Sequence, residues 1–153
     1  MFIKQELQIL VVDDEPSVRR AVKMLLEHAG HKVWDANGGE TALQQLAQRK
    51  FDIVITDFSM PGLHGDQLIA RIRQILPAQP IILVTGFPDE YEAFGRPAGK
   101  VDILLLKPFT LGELHDAIRR VLALQPPDQP DLTTPEAAHA PQVFRQPPAA
   151  GPL

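Results

Sequence analysis

The sequence contains no cysteine, which excludes a disulfide framework and a thiolate metal site. It also lacks any apolar stretch near the roughly 20 residues that cross a bilayer. The first ten residues, MFIKQELQIL, carry Glu6 and run directly into a predicted strand, unlike a secretory signal peptide. Basic residues are not in excess, since the net charge is -4. We therefore expect a cytoplasmic protein with neither a membrane nor a nucleic acid as its partner.

The histidines are too dispersed in the sequence to suggest a metal site. His28 and His31 lie close together, but no third ligand of the kind that zinc requires accompanies them. Both histidines are therefore predicted to lie on the surface.

The composition is that of a globular protein, with 44% hydrophobic and 22% charged residues in 153. This length accommodates one ordinary domain and a short remainder. Eight of the 15 prolines fall within residues 126–153, which have few charges and no apolar periodicity. The pattern predicts one domain over residues 1–125 and a disordered, proline-rich tail over residues 126–153.

Short apolar runs alternate with segments of helical spacing along the first 125 residues. The runs predict five strands, namely Leu7–Val12, Lys32–Asp35, Phe51–Asp57, Ile81–Thr85 and Val101–Leu106. The first helix is predicted to begin at Pro16 and to end at Gly30. A short helix is predicted near Asp89–Phe94, and Thr110 and Glu113 have the spacing of a capping box before the last helix. This alternation predicts an α/β fold, a doubly wound five-stranded parallel sheet with helices on both faces.

Polar residues stand where four of these strands end. They are Asp13 with Asp14, then Asp57, Thr85 and Lys107. Ligands of parallel sheets bind at the carboxyl ends of the strands, so we expect these side chains to converge. Carboxylates are ligands for Mg2+, and packing three of them together requires a neutralising cation. A carboxylate also attacks phosphorus as a nucleophile. The set predicts a site for Mg2+ and a phosphoryl group, with Asp57 on the central strand as the nucleophile.

The same positions carry motifs that resemble the receiver domain of two-component response regulators. The motifs are Val-Asp-Asp-Glu-Pro at 12–16, Thr-Asp-Phe-Ser-Met-Pro-Gly at 56–62 with Gly65, Val-Thr-Gly at 84–86 and Lys-Pro-Phe at 107–109. The resemblance covers roughly residues 7–124, and its spacings agree throughout. It implies a flavodoxin-like sheet with the strand order 2-1-3-4-5.

The resemblance also implies a role for each acidic residue. Asp57 is implied to be the phosphoacceptor, charged by a phosphohistidine on a sensor histidine kinase or a histidine phosphotransfer protein. Asp14 and Asp57 are implied to bind Mg2+, together with the backbone carbonyl of Ser59. Asp13 is implied to lie in the acidic pocket, close to the ion or bridged to it by water.

Further implied roles concern the ends of the last two strands. Thr85 and Lys107 are implied to sense the phosphoryl group, and the bond from Lys107 to Pro108 is implied to be cis and to aim the lysine inward. The family often has Tyr or Phe three residues before the lysine, where this chain has Leu104. This difference predicts an altered output face, of the kind that a receiver in a hybrid sensor kinase would tolerate.

The leading functional hypothesis is a phosphorylation-switched module that changes its contact with a downstream protein target and is not an enzyme acting on an external metabolite. One alternative is a Mg2+-dependent phosphatase or phosphotransferase with an aspartyl nucleophile. The haloacid-dehalogenase-like group would require Asp-x-Asp, whereas Asp13 and Asp14 are adjacent. Another alternative is a receiver that acts by constitutive protein contact.

Overall fold

Strands and helices alternate along the parts of the chain that the computed structural model describes, residues 5–89 and 101–124. The elements are β1 (Gln8–Val12), α1 (Pro16–His28), β2 (Lys32–Ala36), α2 (Gly39–Gln48), β3 (Ile53–Asp57), α3 (Gly65–Ile75), β4 (Ile81–Thr85), β5 (Ile103–Leu106) and α4 (Leu111–Ala123). Within these ranges no helix has the length and apolar character needed to span a membrane. The predicted tail, and nearly all of the predicted helix near Asp89–Phe94, lie outside the described residues.

The five strands form one parallel sheet in the order β2-β1-β3-β4-β5. This confirms both the predicted fold class and the strand order that the resemblance implied. In the register of the sheet, Val12 pairs with Ala36 on one side and with Thr56 on the other. The carboxyl ends of these three strands are therefore level, and the end of β3 lies in the middle of that edge.

The three central strands, β1, β3 and β4, are nearly continuous apolar runs because both faces of the sheet are covered there. Ile9 and Val11 face the core beneath α1 and α4, whereas Leu10 and Val12 face the core beneath α2 and α3. The side chains of Ile9 and Leu10 are both fully buried, although they point in opposite directions. This burial on two sides explains why the central strands show no alternation of apolar and polar residues.

The helix ends follow the predicted signals. Pro16 is the first residue of α1, and Gly30 adopts a left-handed φ of 98° just beyond its C-cap. At the start of α4, the Glu113 backbone N–H donates to Thr110 Oγ1 at 3.1 Å. The Glu113 carboxylate in turn accepts from the Thr110 backbone N–H at 2.7 Å. This reciprocal pair completes the predicted capping box.

His31 is buried, so its predicted surface position is wrong. The turn at Gly30 carries His31 beneath the start of β1, where its Nδ1 accepts a hydrogen bond from the Leu7 backbone N–H at 3.2 Å. Burial lowers the pKa of His31, and the nearby His115 lowers it further against the opposing charge of Glu6. A lowered pKa favours the neutral imidazole, which is the form that accepts this hydrogen bond.

Candidate functional site

Three carboxylates meet at the level edge of the sheet. Asp13 and Asp14 directly follow β1, and Asp57 is the last residue of the adjacent strand β3. One oxygen from each of the three residues lies within 4.8 Å of the others. Asp13 and Asp57 are buried, whereas Asp14 is exposed. The convergence follows from the parallel register, which places the two strand ends side by side.

Lys107 reaches this cluster from the loop after β5. Its Nζ lies 3.1 Å from Asp57 Oδ1 and 3.3 Å from Asp13 Oδ2. Burial alone would lower the pKa of Lys107, but the attraction of Asp57 and then of Asp13 outweighs it and raises the pKa. The lysine is therefore an ammonium at neutral pH. The peptide bond between Lys107 and Pro108 is cis, as the resemblance implied.

Asp57 lines a small pocket together with apolar residues that include Val11, Ile55 and Val84, and only 8% of its surface is exposed. This burial raises the pKa of Asp57, and Lys107 offsets the effect only in part. Within residues 5–89 and 101–124, Lys107 is the one cationic side chain in ion-pair contact with the three carboxylates. The cluster thus carries a surplus of negative charge, which suits a bound cation.

Thr85 and Ser59 are the remaining residues that the sequence predicted to belong to the site. Thr85 ends β4 and is almost completely buried, and its Oγ1 accepts from the Phe87 backbone N–H at 3.1 Å. The Thr85 carbonyl accepts from the Lys107 backbone N–H at 2.8 Å, which ties the end of β4 to the lysine. Ser59 lies exposed in the loop after β3. Their roles toward a phosphoryl group and an ion stay predictions.

Every polar group of Asp13 is engaged. Its backbone N–H donates to the Ala36 carbonyl at 3.1 Å, and its Oδ1 accepts from the Glu15 backbone N–H at 2.9 Å. Its own carbonyl accepts from Arg19 Nη1 at 2.8 Å, while its Oδ2 contacts Lys107. The residue pattern did not predict a role for Arg19, because an arginine on an amphipathic helix gives no sign of the carbonyl that it will meet.

The start of α3 packs directly on the backbone that follows Asp57. The Gly65 backbone N–H donates to the Phe58 carbonyl at 3.0 Å. A Cβ atom on Gly65 would lie 2.5 Å from the Asp57 carbonyl oxygen and 2.8 Å from the Phe58 Cα. Backbone atoms cannot rotate away as a flexible side chain would, so only glycine fits at this contact.

We therefore expect Gly65→Ala to lower the free energy of unfolding by about 2 kcal/mol, the range of an overpacked contact. Urea denaturation will measure this loss. Gly112→Ala is a matched control in the first turn of α4, where a Cβ would meet nothing nearer than 3.8 Å. Alanine there should be neutral or slightly stabilising, since glycine is a poorer helix former. Equal effects of the two substitutions would contradict the steric argument.

The sequence of this chain is similar to those of known proteins. A family model described as the response regulator receiver domain matches residues 9–119. Chemotaxis protein CheY-3 of Vibrio cholerae is 32% identical over 122 residues, which cover 78% of this chain and 94% of the relative. Response regulator ArlR of Staphylococcus aureus is 31% identical over 119 residues, but the chain spans only 54% of its length.

A solved structure is similar over the same region. Response regulator TrrA of Thermotoga maritima, crystallised in complex with Mg2+ and BeF, superposes with a TM-score of 0.69 at 32% identity. The similarity covers 76% of this chain and 99% of that chain.

Proposed function

We propose, from the fact that this chain belongs to the response regulator receiver domain family, that Asp57 accepts a phosphoryl group and thereby switches the contact of the domain with a partner. The observation that carries this proposal is the meeting of Asp13, Asp14 and Asp57 with the ammonium of Lys107. No other group of three or more acidic, histidine or cysteine side chains in the described ranges has the spacing to hold a metal ion.

The transfer step follows from the position of Asp57. One of its carboxylate oxygens attacks phosphorus in a phosphohistidine, forming a P–O bond as the P–N bond breaks and the imidazole nitrogen leaves with the electron pair. Lys107 already lies 3.1 Å from the Asp57 carboxylate, so its ammonium is placed to pair with the oxygens of the new phosphoryl group. The protein contributes mainly position and charge to such a transfer.

The donor set of the cluster fits Mg2+. Asp14 and Asp57 supply the hard oxygen ligands that this ion takes, and Asp13 lies close enough to orient ligand waters. The Ser59 carbonyl is proposed as the third protein ligand. When bound, Mg2+ supplies positive charge for the phosphoryl oxygens. The surplus of carboxylates over ammonium in the described cluster supports this assignment.

Receiver domains are signalling modules that interact with histidine kinases and downstream effectors. For this chain we propose a sensor histidine kinase or a histidine phosphotransfer protein as the donor, and a protein rather than a nucleic acid as the target. The net charge of -4 supports the second point. We also propose that the domain catalyses its own phosphorylation and turns over no external metabolite.

The first test is the intact mass of the protein after incubation with a small-molecule phosphodonor, with Mg2+ or with a chelator. We expect a single phosphate adduct that forms with Mg2+ and is lost when the metal is removed, because the carboxylates then repel the anionic donor. The far-UV circular dichroism of both samples will show that the protein stays folded.

Two outcomes would contradict the proposal. An adduct that forms in equal yield with the chelator present would show that phosphorylation does not need the metal. Steady release of phosphate from ordinary phosphomonoesters over many turnovers would instead favour a phosphatase with an aspartyl nucleophile.

A further inference from the structure

We propose that Arg19 is a positioning residue of the acidic site, which acts by fixing the peptide bond between Asp13 and Asp14. The inference rests on the proposed function, because it concerns how the site holds its cation. Arg19 donates its side-chain hydrogen bonds to the Asp13 carbonyl and to Asp35. Its influence on the acidic site therefore passes through the backbone of Asp13. Asp35 on β2 is the second partner of the Arg19 guanidinium.

The guanidinium of Arg19 spans two elements. Its Nη1 donates to the Asp13 carbonyl at 2.8 Å, and its Nε donates to Asp35 Oδ2 at 2.9 Å. Lys23 Nζ holds the other oxygen of Asp35 at 3.1 Å. Only 17% of the Arg19 side chain is exposed. A planar guanidinium whose two sides are both engaged keeps its donors in fixed directions.

The peptide bond is the link to the metal site. The Asp13 carbonyl lies in the same rigid plane as the nitrogen and Cα of Asp14, so holding this oxygen sets the direction in which Asp14 leaves β1. Within the described residues, Asp14 makes no hydrogen bond or ion pair of its own. In the part of the chain that the structure describes, the backbone is therefore the one restraint on where this exposed carboxylate can lie.

Positioning and simple electrostatics make opposite predictions for this residue. Removing a positive charge near a cation site strengthens cation binding, since the repulsion between the two cations is lost. Releasing the peptide plane weakens binding, since Asp14 then has to be ordered when the ion binds. The sign of the change in Mg2+ affinity thus separates the two explanations.

The variants are Arg19→Met, which removes both the charge and the donors, and Arg19→Lys, which keeps the charge but cannot reproduce the planar fork. Arg73→Met is the matched control. Arg73 on α3 likewise joins an aspartate, Asp102, to a backbone carbonyl, that of Gln79. Its side chain is 15% exposed, and its partners precede β4 and β5, at the edge of the sheet opposite the acidic site.

Calorimetric titration with Mg2+ will give the dissociation constant of each protein, and thermal melting will report its stability. We expect Arg19→Met to weaken Mg2+ binding about tenfold, the usual range for a group that orients a ligand. Arg19→Lys should weaken it as well. Arg73→Met should lose stability but bind Mg2+ as the wild type does.

Phosphorylation kinetics give a second reading that a purely structural role would not produce. In the Arg19 variants the Mg2+ concentration for half-maximal rate should rise, while saturating Mg2+ should restore the wild-type rate. Unchanged or tighter Mg2+ binding in both Arg19 variants would overturn the inference and leave the proposed function intact. Equal weakening in Arg73→Met would overturn it too, whereas a wild type that binds no Mg2+ would overturn both proposals.

Discussion

Asp57→Asn is expected to abolish the phosphate adduct completely. The carboxylate oxygen is the nucleophile in the proposed transfer, and an amide oxygen lacks the charge to attack phosphorus. Intact mass after incubation with a phosphodonor and Mg2+ will measure the loss. Asp52→Asn is the matched control, since Asp52 precedes the same strand at its other end and binds the Gln8 backbone N–H at 2.7 Å. It should form the adduct as the wild type does.

The same substitution should not weaken the metal-free fold. Burial raises the pKa of Asp57, so the group stabilises the protein while protonated and loses that contribution as pH rises through its folded pKa. At neutral pH the buried carboxylate therefore opposes folding, and a neutral asparagine removes this cost. Urea denaturation without metal should show equal or greater stability for Asp57→Asn. A retained adduct in this folded variant would show that another residue is the acceptor.

Lys107→Met is expected to lower the free energy of unfolding of the metal-free protein by about 2 kcal/mol. Removing one partner of a fully buried ion pair lowers the free energy of unfolding by more than this. The lysine side chain is 28% exposed, however, so that solvent screens part of the interaction. Asp13 and Asp57 would then repel each other without a neutralising cation. Mg2+ should stabilise the variant more than the wild type, because the ammonium no longer competes with it. Urea denaturation with and without Mg2+ will measure both quantities.

Two further measurements test the electrostatic origin of this effect. The pKa of Lys107 is raised above its usual 10.5, so its stabilisation is complete at pH 8 and is lost only as pH rises through the higher folded value. Lys32→Met is the control, because Lys32 pairs with Glu6 at 3.4 Å on the open surface and should change stability by less than about 0.5 kcal/mol. The double variant Lys107→Met with Asp57→Asn is compared with Lys107→Met alone. A loss of unfolding free energy of the same size in both would contradict the charge argument.

Local pattern was sufficient for the fold class and for the approximate site. The apolar runs predicted five strands, and the structure differs only in their ends; β5, for example, begins at Ile103 instead of Val101. The residues at the strand ends predicted the meeting of Asp13, Asp14 and Asp57, because parallel strands bring their carboxyl ends to one edge. The strand order itself came from the resemblance, since periodicity carries no information about which strands are neighbours.

What the sequence by itself determined is therefore the set of elements, their parallel arrangement and the chemistry gathered at one edge. Only the tertiary structure decided which atoms of different elements meet. Arg19 meets the Asp13 carbonyl, His31 is buried beneath β1, and Gly65 touches the Asp57 backbone. Each contact depends on how a helix or turn packs against the sheet to within an ångström or so, whereas the residue pattern records only which face of an element is apolar.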